Sequence, residues 1–369
     1  MKKIITGFLP VIFLLQVVSV VAQDFDRCYT TEIYNERIRN HPELLNVQRQ
    51  LEKQTRHLSA DALAAMNRTH GTVLIIPVVF HIVHNYGPEN ISDAQVLDQV
   101  RILNEDFRLL NPDTTSIVPA FKSIAADCEI EFRLATIDPN GNCTNGIDRI
   151  VSPLTENADD NAKLNPWPEN QYLNIWTVRT LGWSGVAAYA YYPGTAPAGA
   201  DGVISQYRYI GSIGSGSPGT ARVLTHEIGH CFNLSHVWGS TNSPGVACGD
   251  DNVFDTPWTE GWTSCNLYGA SCGNVIDNVQ NYMEYSYCDK MFTQGQKTRM
   301  HDALSSPFGG RSNLWTQANL IATGTTGAVT APCAPKADFI CANSAARPGS
   351  SSECPSAERH SMRRFFPSM

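Results

Sequence analysis

Four residues between positions 226 and 236 have the types and spacing of a hydrolytic metal site. His226 and His230 are four residues apart, so in a helix both imidazoles lie on one face and can bind one metal ion. Glu227 follows the first histidine and is placed to act on a water molecule at the metal. His236 lies beyond the reach of the same helix, so the chain must turn sharply to return it. Three histidine ligands leave one tetrahedral position open, which is typical of catalytic zinc.

The segment departs at one position from the extended pattern His-Glu-x-x-His-x-x-Gly-x-x-His. Asn233 stands where that pattern has glycine. We expect it to end the helix in the left-handed conformation, because asparagine is the next best residue after glycine for that backbone. The alternative is that the histidines lie on an ordinary helix by chance and bind no metal. A match to the five-residue pattern His-Glu-x-x-His alone is often a false positive. The third histidine favours the metal site.

The elements that must position these residues begin at Thr72, where the chain becomes apolar and rich in β-branched residues. The pattern predicts a domain over residues 71–322, with Ser92 as the N-cap of an amphipathic helix. Residues 237–287 are rich in Gly, Asp, Asn and Cys, so we expect irregular structure held by disulfides there. The predicted elements are a strand over 73–80, a helix over Ser92–Leu109, strands over Ile130–Ile137 and Tyr172–Val178, and a closing helix over Met291–Ser305.

The two ends of the chain differ in character from this domain. Residues 1–22 have two lysines and then an apolar run, which predicts a cleaved signal peptide; a membrane anchor is the alternative. Residues 23–70 are polar, with a helical pattern from Thr31 to Met66, and are predicted to form a pro-segment. Residues 323–369 are expected to be a linker and a disordered or truncated tail.

Charge and cysteine content restrict the class of protein. The formal charge is −8 and becomes −10 when Lys2 and Lys3 are removed, which argues against nucleic acid or an anionic membrane surface as a partner. All eleven cysteines lie after the signal peptide, as expected for a secreted, extracellular protein with disulfides. The sequence does not indicate an oligomeric state.

Taken together, these motifs resemble the pappalysin family of metzincin metallopeptidases, especially its bacterial cytophagalysin-like branch. The resemblance covers about residues 28–302, and its most specific segments occur in the family's order: Leu224–His230, His236–Gly239, Asp255–Pro257, Asn281–Tyr285 and Met291–Thr293. It implies an α+β fold, a metzincin-like zincin catalytic domain with a mixed-sheet upper half, an active-site helix, a Met-turn and a disulfide-rich irregular lower half.

The resemblance also implies roles for three further residues. Met283 would be the Met-turn methionine below the zinc ligands. Tyr285 would stabilise the oxyanion, and a packed core tyrosine is the alternative. Cys28 resembles the family's pro-segment cysteine, whose thiolate would occupy the open zinc position and keep the enzyme latent; a simple disulfide is the alternative. Arg56 and Arg68 are candidate sites for the activating cut.

The lower half resembles the family in its cysteines and in one acidic run. The family's pattern implies disulfides Cys248–Cys272 and Cys265–Cys288. Cys128 and Cys143 are expected to pair across the turn between neighbouring strands, although sequence alone does not fix connectivity. Residues 248–256 resemble a segment that binds calcium in family members, with Asp251 and Thr256 as expected ligands; a polar turn is the alternative.

Two departures from the family's pattern bear on function. Relatives that cut beside arginine have an aspartate just before the cysteine that follows the Met-turn, whereas here Asp289 comes after Cys288. Arginine specificity is therefore not implied. Residues 334–339 resemble the start of an immunoglobulin-like domain, but the pattern ends within a few residues.

The predicted function is hydrolysis of protein or peptide substrates by a secreted zinc endopeptidase, with Glu227 as general base. The substrate is expected to lie along an edge strand from the region 176–192. One alternative is a catalytically silent secreted binding module that keeps zinc for stability. Another is a zinc hydrolase of a non-peptide amide.

Overall fold

The computed structural model describes residues 27–66, 73–239, 241 and 243–327, with only the backbone described for Arg27 and for 56–66. The predicted signal peptide, the candidate cut site Arg68 and the tail from residue 328 onward lie outside the described residues. No helix in the described part of the chain is long and apolar enough to cross a membrane.

A seven-stranded mixed sheet forms the upper half, in the order β1-β6-β7-β5-β2-β3, with β4 also paired to β2. β6 is antiparallel to β7, whereas the other paired strands run parallel. This mixed sheet confirms the predicted α+β class. The strands are β1 Arg27–Cys28, β2 Leu74–His84, β3 Ile130–Leu134, β4 Ile147–Val151, β5 Leu173–Val178, β6 Val186–Ala190 and β7 Val203–Gln206.

The described part of the chain also contains helices, several of which contact the sheet at β2, β3, β6 and β7. Short 3-10 turns lie at Pro112–Ser116, Pro153–Thr155, Asp160–Ala162, Tyr207–Tyr209 and Phe308–Gly310. The α-helices are α1 Thr30–Asn40, α2 Leu44–Met66, α3 Asp93–Phe107, α4 Pro119–Lys122, α5 Val223–Cys231, α6 Gln294–Leu304, α7 Arg311–Leu314 and α8 Gln317–Ala322.

The N-terminal segment contains two helices where the sequence pattern predicts one. α1 ends at Asn40 and α2 begins at Leu44, because Pro42 disfavours helical backbone at the residue before it. His41 accordingly has φ of −137° and ψ of 69°. The break lets the segment fold back, so that α1 lies against β6 and α2 lies against α6.

The central strand β2 is longer than predicted because its polar residues are paired inside the protein. His81 is fully buried, with Nδ1 3.2 Å from Asp148 Oδ2 and Nε2 2.9 Å from Asn174 Oδ1. With these partners the histidine does not end the strand, and the core continues through Ile82 and Val83. The predicted N-cap Ser92 does accept a hydrogen bond from the Gln95 backbone N–H of α3.

Strand β6 is not predicted as an element, although it lies within the region expected to supply the edge strand. Its sequence Val-Ala-Ala-Tyr-Ala has low intrinsic strand propensity at three positions. Pairing with β7 on one side and β1 on the other holds it in the sheet. The N-terminal segment thus contributes a strand to the edge that faces α5.

Candidate active site and metal centre

Helix α5 and the turn after it bring the three predicted histidine ligands together. The Nε2 atoms of His226 and His230 are 3.1 Å apart, and each lies 3.2 Å from Nε2 of His236. Asn233 has φ of 72°, the left-handed conformation predicted for it, and turns the chain back toward the helix. All three histidines are buried.

The protonation of these rings fits a metal ion. The Nδ1 atoms of His226 and His230 lie 2.7 Å from the carbonyl oxygens of Tyr282 and Leu234, so each Nδ1–H donates and each Nε2 keeps its lone pair. Burial lowers the pKa of His226 to about 4, which favours the neutral ring. Tetrahedral zinc with its usual Zn–N bonds would separate two such nitrogens by about 3.3 Å, close to the observed distances.

Glu227 and Cys28 complete the cluster. Cys28 Sγ lies 3.4 Å from Glu227 Oε2, which also accepts a hydrogen bond of 3.0 Å from Thr30 Oγ1. The thiol and the three histidine nitrogens all lie within 4.8 Å of one another. Burial raises the pKa of Glu227 to about 8 and, with the charge of that carboxylate, raises the pKa of Cys28. A bound cation would oppose both shifts, so the residues present fit a metal.

The Met-turn lies directly below α5. A Cβ atom added to Gly229 would lie 2.5 Å from Met283 Sδ, so the methionine packs where only glycine leaves room. Tyr285 lies beside the histidines, with its ring centroid 4.9 Å from that of His236. Its hydroxyl donates a hydrogen bond of 3.1 Å to the Cys28 carbonyl oxygen. Met283 therefore packs against α5, and Tyr285 lies beside the histidine cluster.

A cavity opens next to Glu227, between α5 and the chain after the Met-turn. Its walls include Ala187 of β6 and Asp289, whose pKa burial raises to about 7. Arg222, at the start of α5, lines the same cavity and donates to the Asp289 carbonyl oxygen at 2.6 Å. An acidic residue thus lines the cavity, although Asp289 comes after Cys288 in the sequence.

Sequence reasoning missed the network that anchors the start of α5. Asp106 of α3 accepts hydrogen bonds from Thr225 Oγ1 at 2.8 Å, Tyr282 Oη at 2.7 Å and Arg222 Nε at 3.2 Å. Arg222 also holds Asp113 through both terminal nitrogens. The signal in the sequence is an aspartate at the margin of the apolar face of the predicted helix over Ser92–Leu109.

The cysteines are arranged partly as expected. Disulfides join Cys248 to Cys272 and Cys265 to Cys288, as the resemblance implied. The predicted pair Cys128–Cys143 is wrong, because Cys128 is a buried free thiol whereas Cys143 is disulfide-bonded elsewhere. The two lie beyond opposite ends of β3, a strand about 16 Å long, and disulfides need Cα atoms within about 7 Å.

The segment expected to bind calcium places Asp251 and Thr256 in contact. Asp251 Oδ1 accepts hydrogen bonds from Thr256 Oγ1 at 2.5 Å and from the Val253 backbone N–H at 3.1 Å. Asp251 Oδ2 is buried without a hydrogen-bond partner among the described residues. A carboxylate oxygen in this situation is available to a hard cation.

Known metalloproteases resemble this chain in sequence and fold. The model of the peptidase M43 family, described as pregnancy-associated plasma protein-A, matches residues 156–305. A protein from Colletotrichum graminicola named extracellular metalloprotease is 28% identical over 246 residues, which are 62% of this chain and 75% of that protein.

Two solved structures from Tannerella forsythia are similar to this chain. Mature mirolysin in complex with a cleaved peptide has 36% sequence identity and a TM-score of 0.62, covering 68% of this chain and 99% of that one. A promirolysin mutant has 32% identity and a TM-score of 0.66, covering 79% of this chain and 97% of that one.

Proposed function

Because the chain belongs to the pappalysin family of metallopeptidases, we propose that it is a secreted zinc endopeptidase made as a latent precursor. The observation that carries this proposal is the convergence of three histidine nitrogens, Glu227 and Cys28 in one buried cluster. The name shared by the fungal relatives, extracellular metalloprotease, supports secretion.

His226, His230 and His236 would hold the zinc ion. Zinc held there would polarise a peptide carbonyl and make a water molecule more acidic. Glu227 would accept a proton from that water and pass it to the leaving amine. The Tyr285 hydroxyl, which now donates to a peptide carbonyl oxygen of the N-terminal segment, would donate to the substrate's carbonyl oxygen instead.

The peptide substrate would bind as an added strand on β6. β1 occupies that edge, with Cys28 in register with Ala188 and the Tyr29 backbone N–H donating to the Ala188 carbonyl oxygen at 3.0 Å. The same backbone groups of β6 would pair with a substrate once the N-terminal segment leaves. Recognition through main-chain groups suits an endopeptidase, since it does not require one particular side chain.

The N-terminal segment would maintain latency in three ways. The Cys28 thiolate would take the open metal position, Thr30 Oγ1 holds the Glu227 carboxylate, and β1 covers the substrate edge. An activating cut before β2 would allow the N-terminal segment to dissociate. Arg56 in α2 and Arg68 remain the proposed cut sites.

We further propose that Asp251 and Thr256 contribute to a calcium site. The unpartnered Asp251 Oδ2 supports this proposal. Such a site would stabilise the lower half, because its two residues lie in a segment with little regular structure.

The test of this function is cleavage of an unbiased peptide library by zinc-loaded protein. We expect little activity from the full chain and activity from Cys28→Ala, whereas the matched control Cys128→Ala, which changes a buried thiol elsewhere, should stay latent. Glu227→Gln in the Cys28→Ala background should lower kcat by about 10²–10⁴-fold, and a chelator should abolish cleavage. A folded, zinc-loaded Cys28→Ala protein that cleaves no peptide even after limited proteolysis has removed the N-terminal segment would refute the proposal and favour a binding module.

A further inference from the structure

The outer face of the substrate edge carries an aromatic surface that the proposed chemistry does not use. Side chains alternate between the two faces of a sheet, so Ala188, which pairs with Cys28, and Ala190 lie on the face toward α5. Tyr189 lies on the opposite face, here called the outer face, where it is buried in a second core cluster. β1 follows the same alternation. Cys28 points to the metal ligands, and Tyr29 lies on the outer face.

Tyr29 makes a specific contact there. Its ring stacks on Trp183 with centroids 4.7 Å apart and an interplanar angle of 30°. Trp183 in turn meets Tyr189 edge to face, with centroids 5.8 Å apart at 85°. The Trp183 indole and the Tyr189 phenol ring thus form a corner. The Tyr29 ring of the N-terminal segment covers the indole side of this corner. Trp183 lies in the loop between β5 and β6 and is half-buried even with Tyr29 present.

Dissociation of β1 would leave this corner next to an unoccupied substrate edge. An extended peptide on β6 alternates its side chains in the same way whichever direction it runs. A residue whose side chain enters the cavity beside Glu227 is therefore flanked by residues whose side chains point outward, toward Trp183 and Tyr189.

We propose that Trp183, supported by Tyr189, is a specificity-determining subsite that binds an aromatic side chain of the substrate. This inference rests on the proposed endopeptidase function. Tyr29 occupies the subsite in the latent protein. Because of the alternation, the preferred aromatic residue lies an odd number of positions from the residue in the cavity. Stacked and edge-to-face ring pairs are the geometry that favours an aromatic occupant.

The experiment compares peptides that share one scissile sequence and differ only at neighbouring positions, with Tyr, Ala or Arg in turn. The enzyme is the zinc-loaded full chain activated by limited proteolysis, as wild type, Trp183→Ala, Trp183→Phe and the control Trp258→Ala. Trp258 is an exposed tryptophan of the lower half. We expect the wild type to prefer Tyr over Ala about two- to tenfold in kcat/KM at an odd-numbered position.

Trp183→Ala should lose that preference, so that kcat/KM for the Tyr peptide falls to the value for the Ala peptide in the same variant, whereas Trp183→Phe and Trp258→Ala should retain the preference. An unchanged preference in Trp183→Ala would overturn the proposal, as would a preference for Arg over Tyr at that position. Binding of the Tyr and Ala peptides to an activated Glu227→Gln protein gives the same comparison without catalysis. Tighter binding of the Tyr peptide there, with no turnover by the wild type, would support the subsite while contradicting the proposed function.

Discussion

The N-terminal segment is attached to the catalytic part at a second place, in α2, 24 residues after Cys28. Glu52 of α2 accepts hydrogen bonds from both terminal nitrogens of Arg299 on α6, one of them 3.0 Å long. Arg299 Nε donates to the Asn233 carbonyl oxygen at 2.6 Å, within the turn that carries the metal ligands. Replacing Glu52 with Gln should therefore weaken latency.

The size of this effect follows from burial. The Arg299 side chain is 2% exposed and that of Glu52 is 21% exposed. Breaking a fully buried ion pair costs about 3–5 kcal/mol. Glu52 is partly exposed and glutamine keeps one acceptor, so we expect a loss of about 1.4 kcal/mol, which is a tenfold increase in the population of the opened segment.

The assay is the rate at which Cys28 reacts with a maleimide in the zinc-loaded full chain, read by peptide mapping. Cys28 is buried in the latent protein, so its reaction requires opening. Glu52→Gln should raise this rate about tenfold, whereas Glu36→Gln, an exposed glutamate on α1, should not. The buried thiols Cys128 and Cys231 report any general loosening of the fold. An unchanged Cys28 rate in Glu52→Gln would refute the view that the two attachments open together.

Two further outcomes are expected. Burial acts to raise the pKa of Asp113, but hydrogen bonds from Arg222 lower it to about 2, below its usual 3.8. The carboxylate therefore stabilises the fold above about pH 4, and this stabilisation is lost as the pH falls through about 2. Because the Asp113 side chain is 38% exposed, we expect its contribution to the free energy of unfolding to be less than about 1 kcal/mol. In urea titrations Asp113→Asn should be less stable than the wild type at pH 6 and equal to it near pH 2, and an equal deficit at both pH values would contradict this. Calcium should raise the Tm of the wild type but not of Asp251→Asn, with Asp138→Asn as the control; a calcium-dependent Tm in Asp251→Asn would exclude Asp251 as a ligand.

The spacing of residue types along the chain predicts the structure correctly where the residues in contact are close in sequence. The spacing of His226 and His230 places both rings on one helix face, and Asn233 adopts the left-handed backbone expected of it. The approximate positions of β2, α3, β5 and α6 follow from hydrophobic periodicity for the same reason. Their ends differ by a few residues because buried partners, such as those of His81, are not visible in the sequence.

Contacts between distant residues could not be derived in this way. Cys28 lies 199 positions from Glu227, and only the family resemblance placed it at the metal. The pairing of Cys128 with Cys143 was inferred from proximity along the chain, which fails because a strand separates them. The alanine-rich β6 carries no strong propensity, and its place in the sheet depends on two neighbours, one of them from the N-terminal segment.

The burial of Asn233 has a consequence for making this protein in cells that attach glycans to secreted chains. Asn233-Leu234-Ser235 is an acceptor sequence for N-glycosylation, and the sugar would be attached to Asn233 Nδ2. Asn233 Nδ2 is buried. The Oδ1 atom of the same side chain accepts a hydrogen bond from Gln48, and the Asn233 carbonyl oxygen accepts one from Arg299. A glycan added during synthesis and a correctly folded turn between His230 and His236 therefore exclude each other. The choice of expression host would decide which of the two the chain acquires first.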